Sequence, residues 1–324
     1  MNTYILKTNS FDPYYNLALE ELLMRRIEQD SVVLHLWQSD DAVIIGKNQN
    51  PWVETNPEFL EKNGVAFARR FSGGGTVFHD LGNLNFCICL DRKHYDICRQ
   101  MNFILHAVRS FGIEAEFNGR NDLTSKGCKF SGSAFALKKN AALHHGTLLI
   151  DSDIKKLKSF LVPSKAKIEA KGISSVRSGV INLSVLSDKI NVVSLSNALI
   201  KAFKAEYGGK SKGLNAKDIA DETQIYSLVK KNKSLSWLYE RTLPFVSEVS
   251  NKFDFGAFSL KMKIRQAKIE AAECLCEGLS SDKCGRLSSA LIGTDYSSIE
   301  IADRLIGFSE KIDIVSNWIR HHGL

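Results

Sequence analysis

Apolar positions along the chain recur with a period near 3.6 in some stretches and near 2 in others. Asp12-Pro13 sets a capping carboxylate before a proline at the first helical position, and Tyr15, Leu19, Leu22, Leu23 and Ile27 follow at helical spacing, which predicts a long first helix. Two short β-branched runs come next, Ser31–Trp37 (SVVLHLW) and residues 41–46 (DAVIIG), separated by Gln38-Ser39-Asp40; they read as two strands in a sheet. A helical pattern after Pro57 leads to a strand over 64–68, and residues 84–90 (LNFCICL) form a further strand. Helix and strand alternate, so the first half of the chain is α/β.

Residues 153–172 are dense in lysine and broken by Pro163, with Ile154, Leu157 and Leu161 keeping a helical face before the break. Residues 193–207 predict another helix, closed by Gly208-Gly209, and 210–217 a polar loop. From Phe253 the period is two: Phe258, Leu260, Met262 and Ile264 fall on one face against Ser259, Lys261, Lys263 and Arg265 on the other. Gln266-Ala267-Lys268 is a turn and a return strand starts at Ile269. Leu287, Leu291, Ile299, Leu305, Ile306, Ile312, Val315 and Ile319 then supply apolar faces for two or three helices. The shift in composition near Pro244 predicts a boundary between Arg241 and Asn251, with a large domain over 1–245 and a small α/β domain over 246–324.

Composition narrows the class. The chain has 324 residues, 44% hydrophobic and 24% charged, which is ordinary globular composition and longer than the roughly 250–300 residues at which single cores stop growing. No apolar run approaches the roughly 18 residues of a membrane helix, and the opening residues lack the apolar region of a signal peptide. A cytoplasmic protein without a membrane partner is expected. A net charge of +7 suits an acidic partner or a phosphate-bearing ligand. The seven cysteines include no C-x-x-C pair, so reduced, mostly buried thiols are expected; Cys87 and Cys89 share a strand face without further soft ligands, which points to packing.

The chemistry concentrates in Arg69-Arg70-Phe71-Ser72-Gly73-Gly74-Gly75-Thr76-Val77-Phe78-His79-Asp80. Three consecutive glycines let backbone N–H groups approach an anion, and guanidinium groups beside them suit phosphate or carboxylate. It is neither a P-loop nor G-x-G-x-x-G, since Lys204 and Phe78 stand where those motifs need glycine. A second cluster is Asn121-Asp122-Leu123 followed by Lys129-Phe130-Ser131-Gly132-Ser133-Ala134, whose small residues leave room for a ligand beside a lysine that could stabilise growing negative charge. His144-His145-Gly146 is the third. Adjacent histidines on a strand face opposite ways, so shared metal ligation is disfavoured.

Together with Asp12-Pro13-Tyr14-Tyr15-Asn16, Gly46-Lys47-Asn48-Gln49-Asn50-Pro51, Gly82-Asn83, Lys171-Gly172-Ile173-Ser174-Ser175-Val176-Arg177 and Asn182-Leu183, these motifs resemble, in order, the lipoate–protein ligase A family of the biotin/lipoate ligase superfamily. The resemblance implies an α+β type of α/β fold: a large catalytic domain of mixed sheets with packed helices and a small C-terminal accessory domain. It implies a two-step ligase in which lipoate and MgATP give lipoyl-AMP and pyrophosphate, and a lysine of an apo lipoyl domain then displaces AMP. Acceptors would be lipoyl domains of 2-oxoacid dehydrogenase complexes and the glycine cleavage H protein, without nucleic acid. Carried over by position, Arg70, Gly75, Thr76, Val77 and Phe78 would contact ATP. Lys129 would be catalytic and contact both ATP and lipoate, while Ser72, Gly73, Gly74, His79, Asn83, His145 and Gly146 would line the lipoate pocket. Asp122 would help to place Mg2+.

Rival readings are an octanoyl or lipoyl transferase, a biotin ligase, and a non-catalytic basic binder of acidic domains. The transferase passes its acyl group through a cysteine. The octanoyltransferase that this chain resembles has Pro-Cys-Gly where Val162-Pro163-Ser164 stand here; Cys128 beside Lys129 is the remaining candidate thiol. Biotin ligases carry Gly-Arg-Gly-Arg, which Phe71-Ser72-Gly73-Gly74 does not match. The lysines of residues 153–172, Lys155, Lys156, Lys158, Lys165, Lys167 and Lys171, are the leading patch for docking an acidic acceptor.

Overall fold

The computed structural model describes residues 1–119, 121–175, 179–208 and 210–324; Val176 and Arg177 of the last motif and Gly209 of the expected helix stop lie outside the described residues. In chain order the strands are β1 (Asn2–Lys7), β2 (Ser31–Trp37), β3 (Ala42–Ile45), β4 (Ala66–Arg69), β5 (Val77–His79), β6 (Asn83–Asp91), β7 (Glu116–Phe117) and β8 (Asp122–Ser125). They continue as β9 (Cys128–Leu137), β10 (Ala141–Leu149), β11 (Lys167–Ala170), β12 (Lys212–Leu214), β13 (Phe245–Phe253), β14 (Gly256–Arg265) and β15 (Lys268–Cys276). The chain divides into two compact units, one of residues 1–47, 65–159 and 175–234, the other of 48–64, 160–174 and 235–324. The second thus holds all of 246–324 together with two segments from far earlier in the chain.

The first unit is built on a sheet in the order β12-β1-β2-β6-β10-β9-β8-β7. Every side chain of β2 is buried, as a central strand covered on both faces requires. Leu34, Phe86 and Ile88 meet helices Ile97–Arg109 and Val192–Tyr207 on one face. Val33, Cys87, Cys89 and Leu143 meet helices Pro13–Arg26 and Glu222–Lys233 on the other. Both thiols are core atoms, as expected, and burial pushes their pKa values up. Helix Pro13–Arg26 starts as its sequence predicts, with the Asp12 carboxylate accepting from Tyr14 N at 2.7 Å and Tyr15 N at 3.3 Å.

Two expectations are corrected. The runs at 31–37 and 41–46 do not share a sheet. Both edges of β2 are taken by β1 and β6, so β3 pairs instead with β4 in parallel and β5 in antiparallel, as a separate three-stranded sheet. The polar loop expected over 210–217 contains β12, which pairs with the open edge of β1, Tyr4 opposite Lys212. A free edge recruits backbone whatever the side chains, and here they are lysine, glycine and leucine.

In the second unit β14 and β15 form the expected hairpin, closed by Gln266 and Ala267 at φ of 52° and 61°. A strand that the pattern did not reveal, β13, pairs along the other edge of β14, and β11 pairs with β13. Ser247 hides the alternation of β13, for it points inward between Phe245 and Val249 and bonds the Tyr296 hydroxyl at 2.5 Å. Helices Ser281–Leu291, Ser298–Leu305 and Glu310–His322 cover Phe258, Leu260, Met262 and Ile264. Trp52, from the early segment, packs against Tyr239, Phe245 and Tyr296 in the same core. Among the described residues no helix is long and apolar enough to cross a membrane.

Candidate active site

Side-chain parity decides which candidate residues meet. Between β8 and β9, Asp122 opposes Gly132 and Leu123 opposes Ser131, but Thr124 opposes Lys129, leaving Phe130 as the extra residue of a bulge. The bulge reverses the alternation, so Lys129 shares a face with Gly132 and Asp122. Its ammonium crosses Gly132, where a Cβ would come within 2.8 Å of Nζ, and pairs with Asp122 Oδ1 at 2.7 Å. Register carries the same face through Ala134 to His145 on β10. Cys128 precedes Lys129 in the ladder and pairs with Ser125, so the strand turns it to the opposite face.

The glycine loop lies over this face. A Cβ on Gly74, whose φ is +89°, would sit 3.2 Å from Ala134 Cβ and 2.9 Å from Arg70 Nη2. A Cβ on Gly46 would collide with the Gly74 carbonyl. Arg70 is buried inside the turn: Nη1 donates to Ile44 O at 3.1 Å, Nε and Nη2 to Gly73 O at 3.1 and 2.7 Å, and Nη2 to Gly75 O at 2.6 Å. Burial lowers its pKa to about 10, against the opposing effect of Glu20, so it stays a cation at neutral pH. Arg69 is likewise buried and donates to Lys47 O at 3.0 Å. Arg70 therefore braces the loop from within, and Arg69 holds the neighbouring backbone at 46–47. Thr76 N donates to Ser175 Oγ at 2.8 Å. Phe78 is a buried core residue in β5, opposite Val43.

Polar groups continue beneath the loop. His145 Nε2 lies 2.6 Å from Ser72 Oγ and its Nδ1 2.6 Å from Glu20 Oε2; Glu20 Oε1 accepts from Trp37 Nε1 at 3.0 Å. Glu20 is fully buried, which raises its pKa, but His145, His35 and Trp37 outweigh that and hold it below the ordinary range. His144 takes the other face, bonding Gln100 Oε1 at 3.0 Å and Ser133 Oγ at 2.9 Å. Gly146 also turns to that face, where a Cβ would be 2.6 Å from Gly132 O and 2.7 Å from Phe86 Cζ. Asn83 donates to Asn85 Oδ1 at 2.9 Å, and Asn85 lies 3.4 Å from His79 Nδ1; His79 Nε2 and Asn83 Oδ1 have no hydrogen-bond partner among the described residues.

Burial drives the pKa of His35 to about 4 and of His79 and His144 to about 3, Arg70 adding to the effect at His79. All three are neutral imidazoles at physiological pH. Among the described residues one group of three has metal-ligand spacing, Asp30, Asp91 and His94. Lys93 already pairs with Asp30 there at 2.6 Å, and the group sits at the opposite end of β6 from Asn83.

A glycine loop braced by a buried arginine and standing over the face of a mixed sheet that carries a lysine is an arrangement suited to an acyl-activating ligase domain. The chain belongs to the family of the lipoyl protein ligase A/B catalytic domain, whose model matches residues 12–204. It is 33% identical over 333 residues to lipoate-protein ligase A of Psychrobacter cryohalolentis, covering 98% of each chain. Among solved structures it is similar to LipL1 of P. falciparum in complex with lipoate, at 29% identity and a TM-score of 0.67 over 99% of this chain and 100% of that one. It is also similar to a lipoate-protein ligase A bound with ATP, at 26% identity and a TM-score of 0.57 over 71% and 94%.

Two consequences can be measured. Gly132→Ala places a methyl group where Lys129 crosses the strand; the displaced atom is the end of a flexible chain, so the unfolding midpoint should hold while pyrophosphate release falls at least tenfold, roughly 1.4 kcal/mol in the barrier. The three neutral imidazoles have folded pKa values below the unfolded value near 6.5. The unfolded chain then binds more protons as pH falls, and stability present above about pH 6.5 should be lost toward pH 4, by up to roughly 1.4 kcal/mol per pH unit for each histidine. Thermal melts from pH 7 to 4 test this, and His144→Gln should flatten the slope.

Proposed function

We propose that the chain is an ATP-dependent lipoate–protein ligase that makes lipoyl-AMP and transfers the lipoyl group to a lysine of an apo lipoyl domain, in the cytoplasm. The observation that carries this reading is the bulge at Phe130, which aims Lys129 across Gly132 at the face covered by the glycine loop. In the first half-reaction the lipoate carboxylate attacks the α-phosphorus of ATP, an O–P bond forms and pyrophosphate leaves. Lys129, released from Asp122, neutralises the carboxylate and the phosphate together, and N–H groups of Gly73 to Gly75 line the phosphate. In the second, the acceptor amine attacks the acyl carbon and AMP departs. Neither step needs a protein nucleophile; both need alignment and charge.

Magnesium is held in such sites by one or two carboxylates together with substrate phosphates. Asp122 fits that role, because its carboxylate stands at the ammonium that meets the phosphate and is left without a cation when Lys129 turns away. The metal supplies charge neutralisation of the triphosphate. Arg70 contributes to ATP binding through the loop it holds in shape. Ser72, His79 and Asn83 are assigned to lipoate: the last two each present a buried polar atom without a partner, and Ser72 bonds His145. The acceptors are lipoyl domains, including those of 2-oxoacid dehydrogenase complexes and the glycine cleavage H protein. Lys155 and Lys158 on helix Ile154–Phe160 are exposed cations for such a domain, whereas Lys156 is paired with Asp41 at 2.6 Å.

The transferase alternative requires a thiol at the acyl group. Pro163, which has no side chain able to carry an acyl group, stands where that thiol would be, and Cys128 faces away from Lys129. Lys129→Ala should therefore abolish ATP- and lipoate-dependent pyrophosphate release without lowering the unfolding midpoint, and release at the parent rate would move the role to Lys126 in the β8–β9 turn. Cys128→Ser should retain most ligation of an apo lipoyl domain, followed by mass spectrometry. An acyl thioester on Cys128 in the parent, lost together with activity in the variant, would replace the ligase with the transferase.

A further inference from the structure

We propose that the cleft at the carboxyl end of β1, beside the first turn of helix Pro13–Arg26, is a docking anchor for the folded acceptor domain and takes a carboxylate side chain of that domain. The inference rests on the ligase reading above and deepens it, by naming where the protein substrate of the second half-reaction is held.

The cleft has a volume of about 590 Å³. Lys7 at the end of β1, Asn9 in the loop that follows, Tyr15 on the first helix and Tyr226 on helix Glu222–Lys233 line it, and none of the four side chains has a hydrogen-bond or ion-pair partner among the described residues. Asp12 is the one acidic residue of the lining, and its oxygens are taken: Oδ1 accepts from Tyr14 N and Tyr15 N, and Oδ2 pairs with Lys233 Nζ at 3.2 Å. An ammonium, two phenol hydroxyls and an amide are left, beside the buried Val229. Such a donor set suits a carboxylate, and Val229 with the two rings suits the methylene groups that carry one.

Register fixes the distance to the candidate active site. Lys7 is opposite Leu36, Leu36 opposite Phe86 and Phe86 opposite Gly146, so the cleft begins in the row of the sheet that holds Gly146, three strand spacings or about 14 Å away. The first helix stands between, lending Tyr15 to the cleft and Glu20 to His145. A folded domain of about 80–100 residues has a radius of gyration of about 12–13 Å, so one that brings its lysine to the site covers the cleft as well. Two large apolar side chains stand bare along the same sheet end, Phe11 at 42% and Leu81 at 49% exposure. The segment after β2 holds both backbones: Asp40 N donates to Phe11 O at 3.2 Å and Gln38 Nε2 to Leu81 O at 2.6 Å. Taken singly such residues are ordinary; aligned between a polar cleft and Asn83 they match the apolar centre and polar rim of a protein interface.

The sign of the partner follows from where the charge lies. Of the 43 Lys and Arg and the 36 Asp and Glu, the first unit holds 28 and 20, the second 15 and 16. The whole positive excess therefore belongs to the unit that carries the cleft, and it favours an acceptor that presents carboxylates.

The test compares the parent, Lys7→Glu and Tyr226→Ala on two acceptors of the acyl group, with lipoate and MgATP supplied: hydroxylamine, which is too small to touch the cleft, and an apo lipoyl domain. Both residues are exposed, so the unfolding midpoint should hold. Hydroxamate formation should match the parent in both variants, as should the KM for lipoate and for ATP. The KM for the apo domain should rise at least tenfold in Lys7→Glu, the size of one hydrogen bond to a charged group, and severalfold in Tyr226→Ala. Moving from low to moderate salt should raise that KM in the parent and leave it nearly flat in Lys7→Glu. A parental KM for the domain in either variant would overturn the proposal, and so would a change confined to the KM for lipoate or ATP, which would give the cleft to a small molecule. Absence of hydroxamate in the parent would instead sink the ligase reading.

Discussion

Three consecutive glycines have no preferred shape, and the loop at 73–75 takes one because it is wrapped around a buried guanidinium. Ordering such a segment opposes folding by more than for any other residue type, since glycine loses the most backbone freedom. Arg70 offsets this with charge-assisted bonds to three carbonyls, Ile44, Gly73 and Gly75, each stronger than a neutral pair. A cation buried this way needs an anion in the same low-dielectric region. Glu20, equally buried, acts on Arg70 electrostatically and is tied to the loop through His145 and Ser72. The loop, the first helix and β10 are thus fixed by one set of desolvated polar groups.

The second organising feature is a count of one residue. Without the bulge at Phe130, strict alternation would set Lys129 on the face of Ser131 and Ser133, toward helix Ile97–Arg109, where Ser133 meets His144. With it, Lys129 joins Asp122, Gly132, Ala134 and His145. Phe130 itself is fully buried, so the extra residue is anchored by apolar burial, about 1.5–3 kcal/mol for a side chain of this kind. The core therefore fixes the direction of the lysine.

Much of this was legible in the sequence, and the failures have physical causes. Asp12-Pro13, the β2 and β6 runs and the β14 hairpin are local signals, and each forms where its pattern places it. Sheet membership is non-local: nothing in residues 31–46 says that the edges of β2 are already occupied. β13 was hidden by an inward serine whose hydroxyl has a tyrosine partner, and β12 by side chains that its edge position does not use. Lys129, Asp122 and His145 share one face with the glycine loop while Gly146 turns to the other and Phe78 is a core residue, a division between residues aimed at a ligand and those that hold its surroundings that the sequence did not reveal. Arg70 is the plainest case, for an arginine beside GGG reads as an anion ligand and here donates to carbonyls. Glu20 was missed altogether. Its signal was available, a glutamate inside the Leu19 to Leu23 apolar stretch, but a single charge on a helix is ordinarily solvated, and only the burial of this helix on nearly every side distinguishes it.

The pairing of Lys129 with Asp122 also bears on how such a site avoids reacting out of turn. An ammonium held at 2.7 Å from a carboxylate, both partly exposed, is held modestly, because water and salt screen the attraction. A substrate bringing a carboxylate and a triphosphate offers the lysine more negative charge than Asp122 does, and in a drier setting once the pocket fills. In the reaction proposed above the lysine would exchange partners when the substrates bind, and its former partner would become available to the cation that accompanies the phosphates. A buried, fully satisfied lysine could not make that exchange, and an unpaired one would bind any small anion. Partial exposure, Gly132 beneath the chain and a replaceable carboxylate at its end are the features that the proposed exchange would use.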